Sequence, residues 1–193
     1  MAKIGLMGGS FDPVHNGHLI AARDAMEQHG LDKVILLPTA QTPPKSPAST
    51  TACHHRVAML QAAIDGENSL EVSDFEVTQG GVSYTIKTVR HFREKYPDAT
   101  LFWIIGADKV PTLDRWRSIE ELAQIVEFIS LERPRHPLTI DPTTPGLKLH
   151  RCVGHAMDIS STELRDRQKT DMSLDDFIPS KAIIYIREHG LYP

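Results

Sequence analysis

The sequence predicts an α/β protein: a Rossmann-like, doubly wound parallel sheet with helices on both faces, built as one domain over residues 1–193. Three observations predict it. Short apolar runs alternate with segments of helical spacing along the whole chain, the pattern of a sheet covered by helices. The first run ends at Gly8-Gly9 and passes directly into a helical pattern, as a βαβ unit requires. At 193 residues with 40% hydrophobic content, the chain can bury one sizeable core but would be cramped as two domains.

The elements follow in order. Lys3 to Met7 reads as a buried strand stopped by Gly8-Gly9. From His18 to His29, Leu19, Ala22 and Met26 fall at helical spacing, and Gly30 is a C-terminal stop. Val34 to Leu37, closed by Pro38, is the next strand. Val57, Leu60 and Ile64 mark a second helix, and Leu70 to Val77 has strand character. Ile86, Val89 and Phe92 mark a third helix, followed by the strongest strand, Leu101 to Ile105, which makes Trp103 a core residue. Ser118 with Glu121 has the spacing of a capping box that opens a helix, and Val126 to Leu131 reads as a buried strand. Four prolines between Arg133 and Gly146 predict a loop. Leu147 to Val153 is the last strand, Ser160 with Glu163 a second capping box, and Pro179 to His189 a closing helix that stops at Gly190.

Composition narrows the function classes. A net charge of −4 argues against a nucleic-acid binder with a broad basic face, while leaving room for a small anionic ligand. Two cysteines, Cys53 and Cys152, provide neither a disulfide framework nor a Cys-rich zinc site. Neither a signal peptide nor a membrane-length apolar stretch is legible, so no membrane partner and a cytoplasmic location are expected. Oligomeric state is left open, a homo-oligomer included.

In a doubly wound sheet, ligands bind beyond the carboxyl ends of the strands, where strand order reverses. The segment Gly8-Gly9-Ser10-Phe11-Asp12-Pro13-Val14-His15-Asn16-Gly17-His18 falls at such an end. Two glycines let backbone N–H groups approach a phosphate, and the start of a helix favours an anion. His15 and His18 lie three apart, so both imidazoles can turn to one side and donate to phosphate oxygens. The Gly-x-Gly-x-x-Gly dinucleotide fingerprint is absent, which weakens a hydride-transfer reading. A metal-dependent hydrolase using Asp12, His15 and His18 is a rival reading of the same segment.

This segment resembles the [ST]-x-x-H-x-G-H loop of the nucleotidyltransferase superfamily, and the likeness to bacterial nicotinate-nucleotide adenylyltransferases runs almost end to end. The resemblance implies that Gly8, Gly9, Ser10, Phe11, His15 and His18 bind ATP, with His18 and His15 as the catalytic pair. Ile159-Ser160-Ser161-Thr162-Glu163-Leu164-Arg165 resembles the family's second ATP motif and places Ile159, Ser160, Ser161 and Arg165 at the same nucleotide. The helical part from about residue 159 to 193 would then contribute to the ATP site. Ile104-Ile105-Gly106-Ala107-Asp108 resembles the strand end where Gly106 and Asp108 would meet the ATP ribose, although a lone Asp there is also a common N-cap. Ser83-Tyr84-Thr85 and Trp116 resemble the pyridine pocket, with Thr85 on the carboxylate and Trp116 stacked on the ring.

The resemblance also places Lys45, Arg117 and Arg133 at the mononucleotide. Two positions depart from the family pattern. Pro44 stands where a histidine is usual, and Arg117 where a tyrosine is common. His54, His55, His136 and His150 match nothing in the pattern and are expected to be solvated.

What the resemblance implies is adenylyl transfer from ATP to nicotinate mononucleotide, giving nicotinate adenine dinucleotide and pyrophosphate, with Mg²⁺ carried by the triphosphate. Nicotinamide mononucleotide or phosphopantetheine as acceptor, and a nucleotide-binding module without turnover, are the alternatives.

Overall fold

The computed structural model describes residues 1–41, 51–132, 141–155 and 157–193. Six strands form one sheet in the order β3-β2-β1-β4-β5-β6, every neighbouring pair parallel. They are β1 (Lys3–Gly9), β2 (Lys33–Pro38), β3 (Leu70–Val72), β4 (Thr100–Gly106), β5 (Glu127–Glu132) and β6 (Leu149–Val153). Around them lie α1 (Asn16–His29), α2 (Cys53–Ala63), α3 (Phe75–Gln79), α4 (Thr85–Lys95), the 3-10 helix Ala107–Arg115, α5 (Ile119–Ile125), α6 (Ser161–Lys169) and α7 (Ser180–Glu188). Strand order reverses between β1 and β4, so the ends of these two strands open the crevice where such folds bind ligands.

Alternation along each strand divides the core. Met7, Val34, Leu36, Phe102, Ile104 and Ile129 face α1, α2, α6 and α7. Leu6, Ile35, Leu37, Leu101, Trp103 and Phe128 face α4, α5 and the 3-10 helix. Strands buried on both faces read as continuous apolar runs, which is why they were legible. Helices cover both faces as expected, and Trp103 is core at 5% exposure. Helix α1 ends at Gly30, whose φ of 62° is the left-handed conformation a helix stop calls for.

Several local expectations are corrected. The segment Leu70 to Val77 is not one strand. It stops at Val72, where the Ser73 side chain accepts from the Phe75 N–H at 3.3 Å, and helix α3 follows. A serine hydroxyl offered the backbone a local alternative to the ladder. Ser118 is no capping side chain: its φ is 56° and its hydroxyl makes no cap bond. Glu121 instead takes both arms of Arg90, at 2.6 and 2.5 Å. Strand β6 starts at Leu149 rather than Leu147. Two of the histidines expected to be solvated have partners: His55 Nδ1 lies 2.9 Å from the Tyr185 hydroxyl, and His150 Nε2 lies 2.7 Å from Glu127 Oε2. His136 falls outside the described residues.

Candidate active site

Gly8 and Gly9 do not stop β1. The strand runs through both, paired with Leu37 and Pro38. Their need for a missing Cβ is one of packing: an atom there would come within 3.2 Å of the Trp103 ring at Gly8 and 3.0 Å of the Phe11 ring at Gly9. The turn is made two residues later, at Phe11, whose φ is 47°. Phe11 is fully buried, so its side chain supports the site from beneath and only its backbone can meet a ligand.

The chain then enters α1 with His15 at the N-cap. The rings of His15 and His18 stack with centroids 3.6 Å apart and 26° between planes, on one side of the helix start as their spacing predicts. His15 is buried at 4% exposure and His18 is half-buried, with Phe11 edge-on to it at 4.9 Å. His18 Nδ1 accepts from the His15 backbone N–H at 3.2 Å. That bond assigns the proton of a neutral His18 ring to Nε2, the nitrogen then available as a donor.

Side chains from distant elements hold this loop by its carbonyls. Arg165 Nη1 donates to the Asp12 carbonyl at 2.8 Å, and Ser161 Oγ donates to the Pro13 carbonyl at 2.9 Å. Arg56, 1% exposed, donates from Nη1 to the Ser10 carbonyl and from Nη2 to the Thr39 carbonyl, both at 2.7 Å. Tyr192 donates to Asp12 Oδ1 at 2.6 Å. Burial, then the neighbouring Asp12, pushes the Tyr192 phenol well above its ordinary range, so it remains a donor.

Helix α6 opens as expected: Ser160 Oγ accepts from the Glu163 N–H at 3.2 Å. Ser161 and Arg165 therefore reach the first loop directly, joining the two expected ATP motifs at one place. A cleft beside them is lined by His15, Gly17, Ile20, Asp24, His155 and Ile159. In it Asp24, buried within α1, accepts from the His155 N–H at 2.9 Å and meets His155 Nδ1 at 2.6 Å.

Across the crevice, Asp108 follows the end of β4 at Gly106. It lies inside the 3-10 helix, which is capped by Gly106 without a side-chain bond, so the N-cap alternative does not hold. Asp108 is exposed and pairs with Lys109 at 2.9 Å.

Thr85 is the first residue of α4 and half-buried. Trp116, also half-buried, rests against Phe128 with centroids 6.3 Å apart and donates from Nε1 to Thr112 Oγ1 at 3.4 Å. The Arg117 guanidinium lies over the Tyr84 ring at 4.8 Å. Ser83 ties this segment to the end of β2: its Oγ accepts from the Ala40 N–H and its N–H donates to the Gln41 carbonyl, each at 3.0 Å. Behind it, burial raises the Glu76 carboxyl above the ordinary carboxylate range, while the Thr88 and Ser83 hydroxyls work in the opposite direction. Lys45, Pro44 and Arg133 lie outside the described residues.

Sequence reasoning missed Arg56, Glu76, His155 and Tyr192. Only Arg56 left a signal: it shares its helical face with Met59 and Leu60, both buried, where a charge is out of place unless hydrogen-bonded.

A cytidylyltransferase-like family model matches residues 6–167. A probable nicotinate-nucleotide adenylyltransferase of Opitutus terrae is 55% identical over 98% of this chain and 97% of its own length. The nicotinate-nucleotide adenylyltransferase of Bacillus subtilis is 38% identical over 100% of this chain and 99% of its own. Among solved structures, a Plasmodium falciparum nicotinic acid mononucleotide adenylyltransferase complexed with NaAD shares the fold, with a TM-score of 0.79 at 21% identity over 100% of this chain and 98% of that one. Bounded by these relatives and by the stacked histidines at the β1 end, the chain belongs to the nicotinate-nucleotide adenylyltransferase family of cytidylyltransferase-like proteins.

Proposed function

We propose that this chain transfers the adenylyl group of MgATP to nicotinate mononucleotide, releasing pyrophosphate and forming nicotinate adenine dinucleotide, a step of NAD biosynthesis. The observation that carries it is the His15–His18 stack at a helix start, with Ser161 and Arg165 brought onto the same loop.

ATP occupies the side of the crevice formed by Gly8 to His18 and Ile159 to Arg165. The adenine base enters the cleft beside Ile20 and Ile159, and Asp108 at the β4 end takes the ribose. The acceptor lies opposite, with its ring on Trp116 and its carboxylate at Thr85. Arg117 borders that subsite; the family resemblance adds Lys45 and Arg133, which lie outside the described residues. The acceptor's phosphate oxygen attacks the α-phosphorus in line, forming the new P–O bond as the bond to pyrophosphate breaks. A phosphate monoester is already anionic near neutrality, so no general base is required. The protein positions the reactants and stabilises charge. His18 Nε2–H donates to the oxygens that gather charge, and His15 orients the phosphate chain. Magnesium arrives as part of the ATP substrate. Among the described residues no three His, Cys, Asp or Glu side chains form a metal-binding group, and Asp12 is buried and engaged by Tyr192. The hydrolase reading would need Asp12 as its third ligand, and metal analysis of the purified protein tests it.

Pyrophosphate release measured with MgATP and a panel of nicotinate mononucleotide, nicotinamide mononucleotide and phosphopantetheine tests the reading. Nicotinate mononucleotide should give the highest kcat/KM; preference for either rival reassigns the acceptor. His18→Ala should lower turnover by about 10²–10³, the loss of one preorganised donor, in a protein that remains folded. Near-normal release by that variant would remove His18 from the chemistry.

A further inference from the structure

Outside the motif residues, one side chain grips the first loop from the far end of the fold. Tyr192 is 7% exposed, and its hydroxyl donates to Asp12 Oδ1 at 2.6 Å across 180 residues of sequence. It also lies 3.8 Å from Met59 Sδ on α2. Its backbone φ is 59°, a left-handed conformation that costs energy in an aromatic residue. Such a conformation persists where surrounding contacts over-determine it. The other end of this hydrogen bond is held in the same way: Phe11, next to Asp12, is buried with φ 47°. Arg56, Ser161 and Arg165 hold carbonyls of this loop, whereas Tyr192 holds the side chain of Asp12. His15 follows three residues later.

We propose that Tyr192 is a positioning residue for adenylyl transfer: by holding Asp12 Oδ1 it fixes the turn from Phe11 to His15 and so aligns the His15–His18 pair with the triphosphate. The role rests on the proposed chemistry of that pair. Tyr192 touches neither substrate, so its effect falls on the alignment of donors with developing charge and not on ground-state binding of either nucleotide.

The test compares steady-state pyrophosphate release by wild type, Tyr192→Phe and Asp12→Asn, with thermal melting of each. Tyr192→Phe keeps the ring and loses the donor. It should lower kcat about tenfold, with both KM values within about twofold of wild type, as expected when only transition-state alignment is lost. Asp12→Asn keeps an oxygen acceptor for the phenol and should lose distinctly less kcat than Tyr192→Phe. An unchanged kcat in Tyr192→Phe overturns the proposal. So does a kcat loss in Asp12→Asn as large as that of Tyr192→Phe, because then the charge of Asp12 and not the hydrogen bond is what matters. A rise in both KM values at constant kcat also overturns it, by showing a general loosening. The wild-type rate with each acceptor tests the proposed function separately, and the variant ratio is read with whichever acceptor the wild type uses.

Discussion

Arg56 carries a charge into the interior and meets backbone carbonyls: Ser10 and Thr39 at 2.7 Å and, from Nε, Thr51 at 3.2 Å. The planar guanidinium spans three acceptors at once, which a lysine ammonium on a single stem does not. Truncation would remove the side-chain donor from the carbonyls of Ser10, Thr39 and Thr51, all in half-buried residues, at about 1–3 kcal/mol each. Arg56→Ala should therefore destabilise the protein by about 3 kcal/mol or more, measured by urea unfolding, and Arg56→Lys should recover only part of that. Equal stability of the alanine variant and wild type would show that water replaces the guanidinium without cost. Residues such as Arg56 and Tyr192 mark the boundary of what a sequence shows. The histidine pair is legible because its spacing is local. The partners that hold its loop are contributed by residues 46 to 180 positions away; Ser161 and Arg165 are read from a second motif and Arg56 from its apolar helical face, but no local pattern announces Tyr192.

Among the elements, two serines with the same spacing to a glutamate behave differently. Ser160 caps α6 through its side chain, but Ser118 sits in a left-handed conformation and leaves Glu121 to Arg90. The capping pattern describes a local option; what surrounds it decides whether the option is used. The 3-10 helix shows the same limit, since no periodicity marked it. It is held from outside: Asp114 accepts from the N–H and hydroxyl groups of both Thr143 and Thr144, at 2.5 to 3.2 Å. These bonds, led by the Thr144 hydroxyl, pull the Asp114 carboxyl down to about 2. An unfolded aspartate titrates near 3.9, so the unfolded chain takes up this proton first as pH falls. The contribution of Asp114 is thus complete above about pH 4 and is lost as pH falls toward 2. Asp114→Ala should lower the melting temperature at neutral pH and flatten its decline between about pH 4 and 2. Parallel melting curves for variant and wild type across that window would show that the Thr143–Thr144 contacts carry no stability.

For the molecule as a whole, the sheet separates the two groups of residues to which the proposed function assigns ATP and the acceptor. Helices α1 and α6, which carry the histidine pair, Ser161 and Arg165, pack on one face with Leu19 and Leu164. Helix α4 and the segment around Trp116, where the proposed function puts the acceptor, pack on the other with Ile86, Val89 and Phe128. The crevice between them opens beyond the ends of β1 and β4, where strand order reverses. That topology was legible in the alternation of apolar runs; the strand order that creates the crevice comes from long-range pairing, for which the sequence carries no local signal. The separation makes a specific expectation for Trp116. Its half-buried ring packs on Phe128, and only the face turned from the core can stack on a pyridine ring. Trp116→Ala removes one flat surface from the acceptor side and leaves the histidine side in place. The KM for nicotinate mononucleotide should rise by about tenfold, roughly 1.4 kcal/mol, while the KM for ATP stays within about twofold. Equal increases for both substrates would mean that Trp116 supports the β4–β5 region as core and that the acceptor ring is held by other residues.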